Sequence, residues 1–413
     1  MNTSVDAALP SIGGRGEWTG ASAIAPPILA ALIGGVAWSG APGTLVLALL
    51  VPPLILCGRT RSAVALRAFS YFAAATWPIV PSAAVFFGED GPAARTVASA
   101  VLGWLAVASV NAGPWMLASP RCAAGRIASL LLGVLLPAVP PLALLGLASP
   151  LTAVGLLLPG TGVWGLTAVL VAGVLWLTTA ARARMIAITG LAVLTLGAQA
   201  MHVSHARRDD PWLAVAISLG APPQSAVLVA VDAEAIERLR GLVANAAATV
   251  IVLPEGYLHK WTPVTDAFLA PLWRRLAEDG RSVLFGVNRL DPVTGLLDNA
   301  VLVRGASRGE LSQHYPVPIS MYRAGEPGSS PLRLHGPYSL EVGDERVGVV
   351  ICWEQLLVAP MLQLAVESPR PDRLVAVSNL YFARGTPVAQ VQRASVAAWA
   401  RLLGVPYVHA INE

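Results

Sequence analysis

Residues 347–354 read Val-Gly-Val-Val-Ile-Cys-Trp-Glu, an apolar run that ends on a cysteine. An uninterrupted Val/Ile segment of this length suits a strand buried on both faces, which is characteristic of parallel sheets covered by helices. Residues 354–367 then change to a helical pattern. A thiol between the carboxyl end of a strand and the start of a helix meets free backbone N–H groups and the positive end of the helix dipole. Both favour a thiolate, and the N–H groups can hold an oxyanion. Cys352 is therefore a candidate nucleophile, although the same position also suits a buried structural cysteine.

Working outward, a second motif has the same design. Thr249–Leu253 is a β-branched strand running into Pro254 and Glu255, and α/β sheets place their sites beyond strand carboxyl ends. Glu255 there is either a general base for a thiol or a solvated loop residue. Further strands are expected at Leu213–Ile217, Ala226–Val231, Ser282–Val287, Asn299–Val303, Leu374–Ser378 and Pro406–Ala410. Helices are expected at Ala233–Ala247, with Asp232 as N-cap, at Asp266–Glu278 and at Pro387–Leu403. The alternation means an α/β domain over residues 206–413. Of the three cysteines, Cys57 and Cys122 lie in the first half, so no disulfide can form within this domain. The six histidines are scattered and no cluster has metal-ligand spacing.

Residues 1–205 differ in kind. The whole chain of 413 residues is 55% hydrophobic and 13% charged, well below the roughly 25% charge of ordinary soluble domains. The first half carries nine Arg and four acids, a net of +5. The second carries nineteen basic and twenty acidic groups, a net of −1, which together give the overall +4. Arg in short gaps between apolar runs is a membrane signature, not a nucleic-acid surface, so direct nucleic-acid binding is not expected. Seven spans fit the runs, each needing roughly 20 apolar residues. Two lie between Glu17 and Arg59, turning near Ser39–Gly43. One runs over Ala68–Phe87 and one over Val97–Ala118. Two fall within Ile127–Ala181, joined around Ser149–Gly162, and the last is Met185–Met201. With Arg15 inside, the Arg59–Arg67, Arg121–Arg126 and Arg182–Arg184 gaps all face the cytoplasm, and the acidic Glu89–Asp90 gap faces out. The α/β domain is then external, periplasmic at a bacterial inner membrane. No charge lies mid-span, so no ion path is expected.

Leu253-Pro254-Glu255 after one strand and Ile351-Cys352-Trp353-Glu354 after another resemble the Glu and Cys motifs of the nitrilase, or carbon–nitrogen hydrolase, superfamily. That resemblance implies a four-layer αββα sandwich with a Glu–Lys–Cys triad and no cofactor. Fused to an apolar half, the chain is similar to the apolipoprotein N-acyltransferase branch. It is more similar still to TraB-type conjugal transfer proteins, through Ile351–Leu356, Val375–Asn379, Gly385-Thr386, Gln392–Ser395, Ala398–Leu402, Asn412 and Pro316–Met321. The resemblance implies a role in plasmid conjugation, with other transfer proteins as partners. It also implies acyl transfer or amide hydrolysis. Cys352 would attack an acyl donor such as a phospholipid, and Glu255 would accept the thiol proton and later activate an amine or water.

The superfamily Lys lies four residues before a Val-Pro pair; before Val317-Pro318 that place is Gln313. Lys supplies a positive charge for the tetrahedral intermediate, whereas Gln donates only amide hydrogen bonds. The acyl-transfer reading therefore requires a cation beside the sulfur from Arg323, His314 or the sole lysine, Lys260. Without one, an inactive scaffold that docks transfer proteins is the alternative. Around the pair, Glu354 either orients the site or complements the helix dipole. Trp353 either lines a lipid-chain pocket or packs in the core, and Asn379 either binds substrate or turns the backbone. Superfamily domains continue into further strands where this sequence reaches Asn412-Glu413, so an exposed sheet edge, covered by a partner or second copy, is expected.

Overall fold

The computed structural model describes residues 20–87, 93–178, 180–202, 211–218, 228–290, 295–323, 325–326 and 329–413. The Glu89–Asp90 gap lies outside them. Helices in the first half are α1 (Gly20–Ala37), α2 (Val51–Leu56), α3 (Arg61–Thr76), α4 (Ile79–Phe86), α5 (Ala93–Ala112), α6 (Ala123–Leu135), α7 (Val154–Leu157), α8 (Val163–Leu177) and α9 (Ala181–Met201). In the second half they are α10 (Leu228–Asn245), α11 (Pro263–Glu278), α12 (Val358–Val366) and α13 (Val388–Leu403).

One sheet has the order β1-β3-β5-β6-β7, with β4 also pairing β5: β1 (Trp212–Ala214), β3 (Val250–Val252), β4 (Leu258–Trp261), β5 (Ser282–Leu290), β6 (Leu297–Gly305) and β7 (Gly309–Ser312). The other has the order β2-β11-β10-β9-β8: β2 (Ala216–Ile217), β8 (Ser339–Val342), β9 (Glu345–Ile351), β10 (Arg373–Asn379) and β11 (Tyr407–Asn412). Strand periodicity sets the layers. Val250, Val252, Val301, Val303, Val347, Val349, Ile351, Val375 and Val377 fill the space between the sheets. The alternate residues Ile251, Val283, Phe285, Ala300 and Leu302 face α10 and α11. Val350, Leu374 and Ala376 face α12, α13 and the apolar half. The result is the expected αββα sandwich.

Three local expectations are corrected. Residues 228–231, read as part of a strand, open α10; its later turns bury Ile236, Leu239 and Val243 on the sheet, and that packing outweighs the β-branched composition. Asp232 consequently lies inside the helix and accepts from the His259 N–H at 3.0 Å. The Leu213–Ile217 strand breaks at Val215 and gives an edge strand to each sheet. It thereby puts β2 alongside β11, the edge expected to lie open. The helix after Cys352 is a 3-10 turn, Cys352–Leu356, before α12 starts at Val358.

The seven-span count is not supported. Among the described residues only Ala94–Met116 and Ala181–Met201 are long and apolar enough to cross a bilayer. Arg61–Thr76 with Ile79–Phe86 makes a third if the 48° bend between them is allowed. Pro and Gly break the other charge-free runs into helices too short for a roughly 30 Å hydrocarbon core. Of the first half's helices, α4, α7 and α8 dock on the sandwich. The N–H groups of Gly160 and Gly162 bond the carbonyls of Arg401 and Leu402 at 2.7 and 2.8 Å, satisfying the exposed end of α13. Gly155 lies so close to α13 that a Cβ there would stand 1.9 Å from the Ala398 oxygen. Phe86 meets Phe382 edge-on at 5.3 Å.

Candidate active site

The two strand-end motifs meet. Glu255 follows β3 and is held against β5 because Gly286 has no side chain; a Cβ there would lie 2.4 Å from the Glu255 Cα. Cys352 follows β9 on the neighbouring sheet. Its φ is +50°, a left-handed conformation that costs a non-glycine residue roughly 1–3 kcal/mol and concentrates at functional sites. The surroundings fix it there: Gln392 Nε2 donates to the Cys352 carbonyl at 3.2 Å, and the Gln392 amide oxygen accepts from the Ser378 hydroxyl at 2.7 Å.

The thiol hydrogen-bonds the Glu255 carboxylate. Glu255 Oε1 also accepts from Asn299 Nδ2 at 2.6 Å, and Oε2 from the Asn379 N–H at 2.8 Å. Burial raises the Glu255 pKa, with the bonds from Cys352, Asn299 and Asn379 opposing it. Burial, then the Glu255 charge, hold the Cys352 thiol well above its ordinary value, while the N–H groups of Asn379 and Trp353 pull it down. Burial thus disfavours the charged form of both groups.

Gln313 takes its place beside them, but as a bridge. Its amide oxygen accepts from Asn299 Nδ2 at 3.0 Å, and its Nε2 donates to the Ile351 carbonyl at 3.1 Å. None of the three candidate cations joins the pair. Arg323 is exposed and pairs with Glu326 at 2.8 Å. Lys260 is exposed on β4. The His314 ring stacks on Tyr338 at 4.1 Å, and burial and the Arg333 charge lower its pKa to about 4, so it is neutral at physiological pH. Among the described residues no cationic side chain contributes to the proton affinity of either Glu255 or Cys352.

Glu354 is fully buried and acts as a clamp. Oε1 accepts from the N–H groups of His314 (2.7 Å) and Tyr315 (3.0 Å), and Oε2 from that of Ile351 (2.9 Å). It thus ties the Gln313 segment to the end of β9, and burial raises its pKa to about 7. Trp353 packs against the core shared with the apolar half and donates from Nε1 to the Leu144 carbonyl at 3.0 Å. The side-chain oxygen of Asn379 accepts from Asn412 at 2.7 Å. Sequence reasoning missed Asn299 and Gln392. Asn299 had a legible signal, since it shares the inward phase of Val301 and Val303 on β6, and a polar residue in a buried phase needs a partner.

No family model matches the chain. A probable conjugal transfer protein TraB of Sinorhizobium fredii is 32% identical over 404 residues, covering 93% of this chain and 97% of that protein. The conjugal transfer protein TraB of Agrobacterium fabrum is 30% identical over 405 residues, 93% of this chain and 91% of its own. A solved carbon–nitrogen hydrolase from Helicobacter pylori aligns over 49% of this chain and 72% of its own, at 14% identity and a TM-score of 0.34.

Proposed function

Because this chain belongs to the TraB family of conjugal transfer proteins, we propose that it serves plasmid conjugation as a membrane-bound scaffold. Its sandwich docks other transfer proteins and keeps the Glu255–Cys352 pair without turnover. The observation that carries this reading is that, among the described residues, no cation acts on the Glu255–Cys352 pair. Attack by Cys352 on an acyl group would put a negative charge on a tetrahedral oxyanion as the thiol proton passes to Glu255, and among the described residues no cation stands by to meet that charge. Losing a single oxyanion donor costs roughly 10²–10³ in rate. Here the missing group is the charged one. Attachment to the inner membrane rests on Ala94–Met116 and Ala181–Met201; the second is only 6% buried by protein and offers its apolar side chains to lipid.

The test uses detergent-purified protein and a fluorescent phospholipid. No Cys352-dependent acyl adduct is expected, and Cys352→Ala should transfer plasmid at the wild-type frequency. An adduct lost in Cys352→Ala, together with reduced transfer, would overturn the reading.

A second reading has its own support. The left-handed Cys352 and its thiol–carboxylate bond are the geometry of a nucleophile with its base. The Trp353 N–H and the second N–H of the Gln313 amide can serve as neutral oxyanion donors. On that reading the Cys352 sulfur slowly takes the acyl group of a lipid ester, the ester C–O bond breaks, the thiol proton passes through Glu255 to the departing lysolipid alcohol, and the same thioester adduct reports it.

A further inference from the structure

A crevice of about 190 Å³ lies within the apolar half, walled by α2, α6, α8, α9 and the segment from Pro150 to Leu157. No lining residue carries a charged, hydroxyl or amide side chain, and neither Glu255 nor Cys352 is among them. A space of this kind does not hold water, and left empty it forfeits dispersion contacts. Two of its walls, Trp176 and Ile188, are 43% and 55% exposed, so the crevice opens at the protein surface. That surface belongs to α8 and α9, and α9 is the span that the proposed attachment gives to lipid.

One end of the crevice is marked by charge. On α6, the wall residues Leu130 and Val134 share a helix face with Arg126, which lies before them in the chain. On α9, the wall residues Ala187, Ile188 and Leu191 share a face with Arg184 in the same sense. The two arginines meet at the end of α8. Arg126 Nη2 donates to the carbonyl of Leu177, itself a wall residue, at 3.4 Å, and Arg184 Nε donates to the carbonyl of Thr178 at 3.2 Å. Arg184 and the nearby Arg182 are exposed, and Arg126 is half-buried. A guanidinium has five N–H groups, so one bond to a carbonyl leaves donors to spare. The sequence has no Asp or Glu between residues 91 and 208, and none of these three arginines forms an ion pair among the described residues.

We propose that the crevice holds one acyl chain of an anionic phospholipid whose phosphate lies on Arg126 and Arg184. At 1.5 Å per residue, Ala187 and Leu191 stand about 4.5 and 10.5 Å further along α9 than Arg184. That spacing follows the order of phosphate, glycerol ester and hydrocarbon. Trp176 borders the opening, and its ring suits the level of the headgroups. Three guanidiniums with no acid beside them favour a net negative headgroup over a zwitterionic one. The site rests on the membrane attachment proposed above, and on neither the scaffold role nor Cys352.

The experiment is native mass spectrometry of the detergent-purified full chain, titrated with dioleoylphosphatidylglycerol and with dioleoylphosphatidylcholine. The glycerol lipid should bind at least about fivefold more tightly. Arg184→Gln keeps a donor for the Thr178 carbonyl and removes the charge. It should weaken phosphatidylglycerol by about fivefold and leave phosphatidylcholine unchanged. Arg274→Gln removes one charge from an exposed position on α11 and should change neither. Ala172→Phe fills the crevice and should weaken both lipids; if its melting temperature shows that it does not fold, Arg184→Gln decides alone. Equal affinity for the two lipids, phosphatidylglycerol affinity unchanged in Arg184→Gln, or the same loss in Arg274→Gln overturns the proposal. Sedimentation with membranes tests the attachment separately, so a chain that sediments with them and fails the lipid comparison refutes this site alone.

Discussion

The Glu354→Gln substitution tests how the segment carrying Gln313 is fastened to the nucleophile. Glu354 accepts three backbone N–H bonds while fully buried, and burial raises its pKa from 4.5 to about 7. A carboxyl whose folded pKa lies above its unfolded one binds the extra proton in the folded state. Its contribution is therefore complete below about pH 4.5 and is lost as pH rises through about 7. A shift of that size corresponds to about 3 kcal/mol, as an order of magnitude. Gln has no such titration. Its amide oxygen keeps the bonds from His314 and Tyr315, but its NH2 faces the Ile351 N–H, donor against donor, at a cost of about 1–3 kcal/mol. The variant should thus be less stable than wild type at pH 5 and about equal to it, or more stable, at pH 8. The assay is denaturant unfolding of detergent-solubilised protein at both pH values. A stability gap that stays the same from pH 5 to pH 8 would refute the claim that this buried carboxylate is held against its own desolvation.

Other predictions follow from the same contacts. Gln313→Lys puts a cation beside the pair; the pH midpoint for alkylation of Cys352 by iodoacetamide should fall by about one unit or more, and a phospholipid-derived adduct should appear. Gly155→Ala drives a Cβ into the Ala398 carbonyl, so the apolar half should pack less tightly on α13, at a cost of about 1–3 kcal/mol, read as faster limited proteolysis of the Pro150–Gly162 segment. Trp353→Phe keeps the packing and loses the bond to Leu144, which should lower stability by about 1 kcal/mol in thermal unfolding.

The sandwich was legible because its strands are short and doubly buried. Val347–Ile351 and Leu374–Val377 need no partner to be read as core strands, since almost every side chain is apolar. The Leu228–Val231 part of the expected strand misled for the converse reason: a β-branched run has no intrinsic commitment, and here it opens a helix whose later turns pack on the sheet. The membrane half misled through a different route. A charge-free run such as Ile127–Ala181 satisfies a hydropathy count, yet Pro137, Pro140, Pro141, Pro150 and Pro159 break it into short helices, of which α7 and α8 pack on the sandwich. Composition measures how apolar a segment is and not where its backbone can remain helical.

The sequence by itself determined the two strand-end motifs and the α/β class, because each is a local pattern of residue type and spacing; that Gln313 stands where a Lys is expected came only from the family resemblance. Only the tertiary structure decided that Glu255 and Cys352, on different sheets, touch; that Asn299 joins Glu255 to Gln313; and that Arg323, His314 and Lys260 all stay away from the pair. Charge and hydrogen-bond satisfaction inside a buried site depend on which side chains converge from distant strands, and no local pattern encodes that convergence.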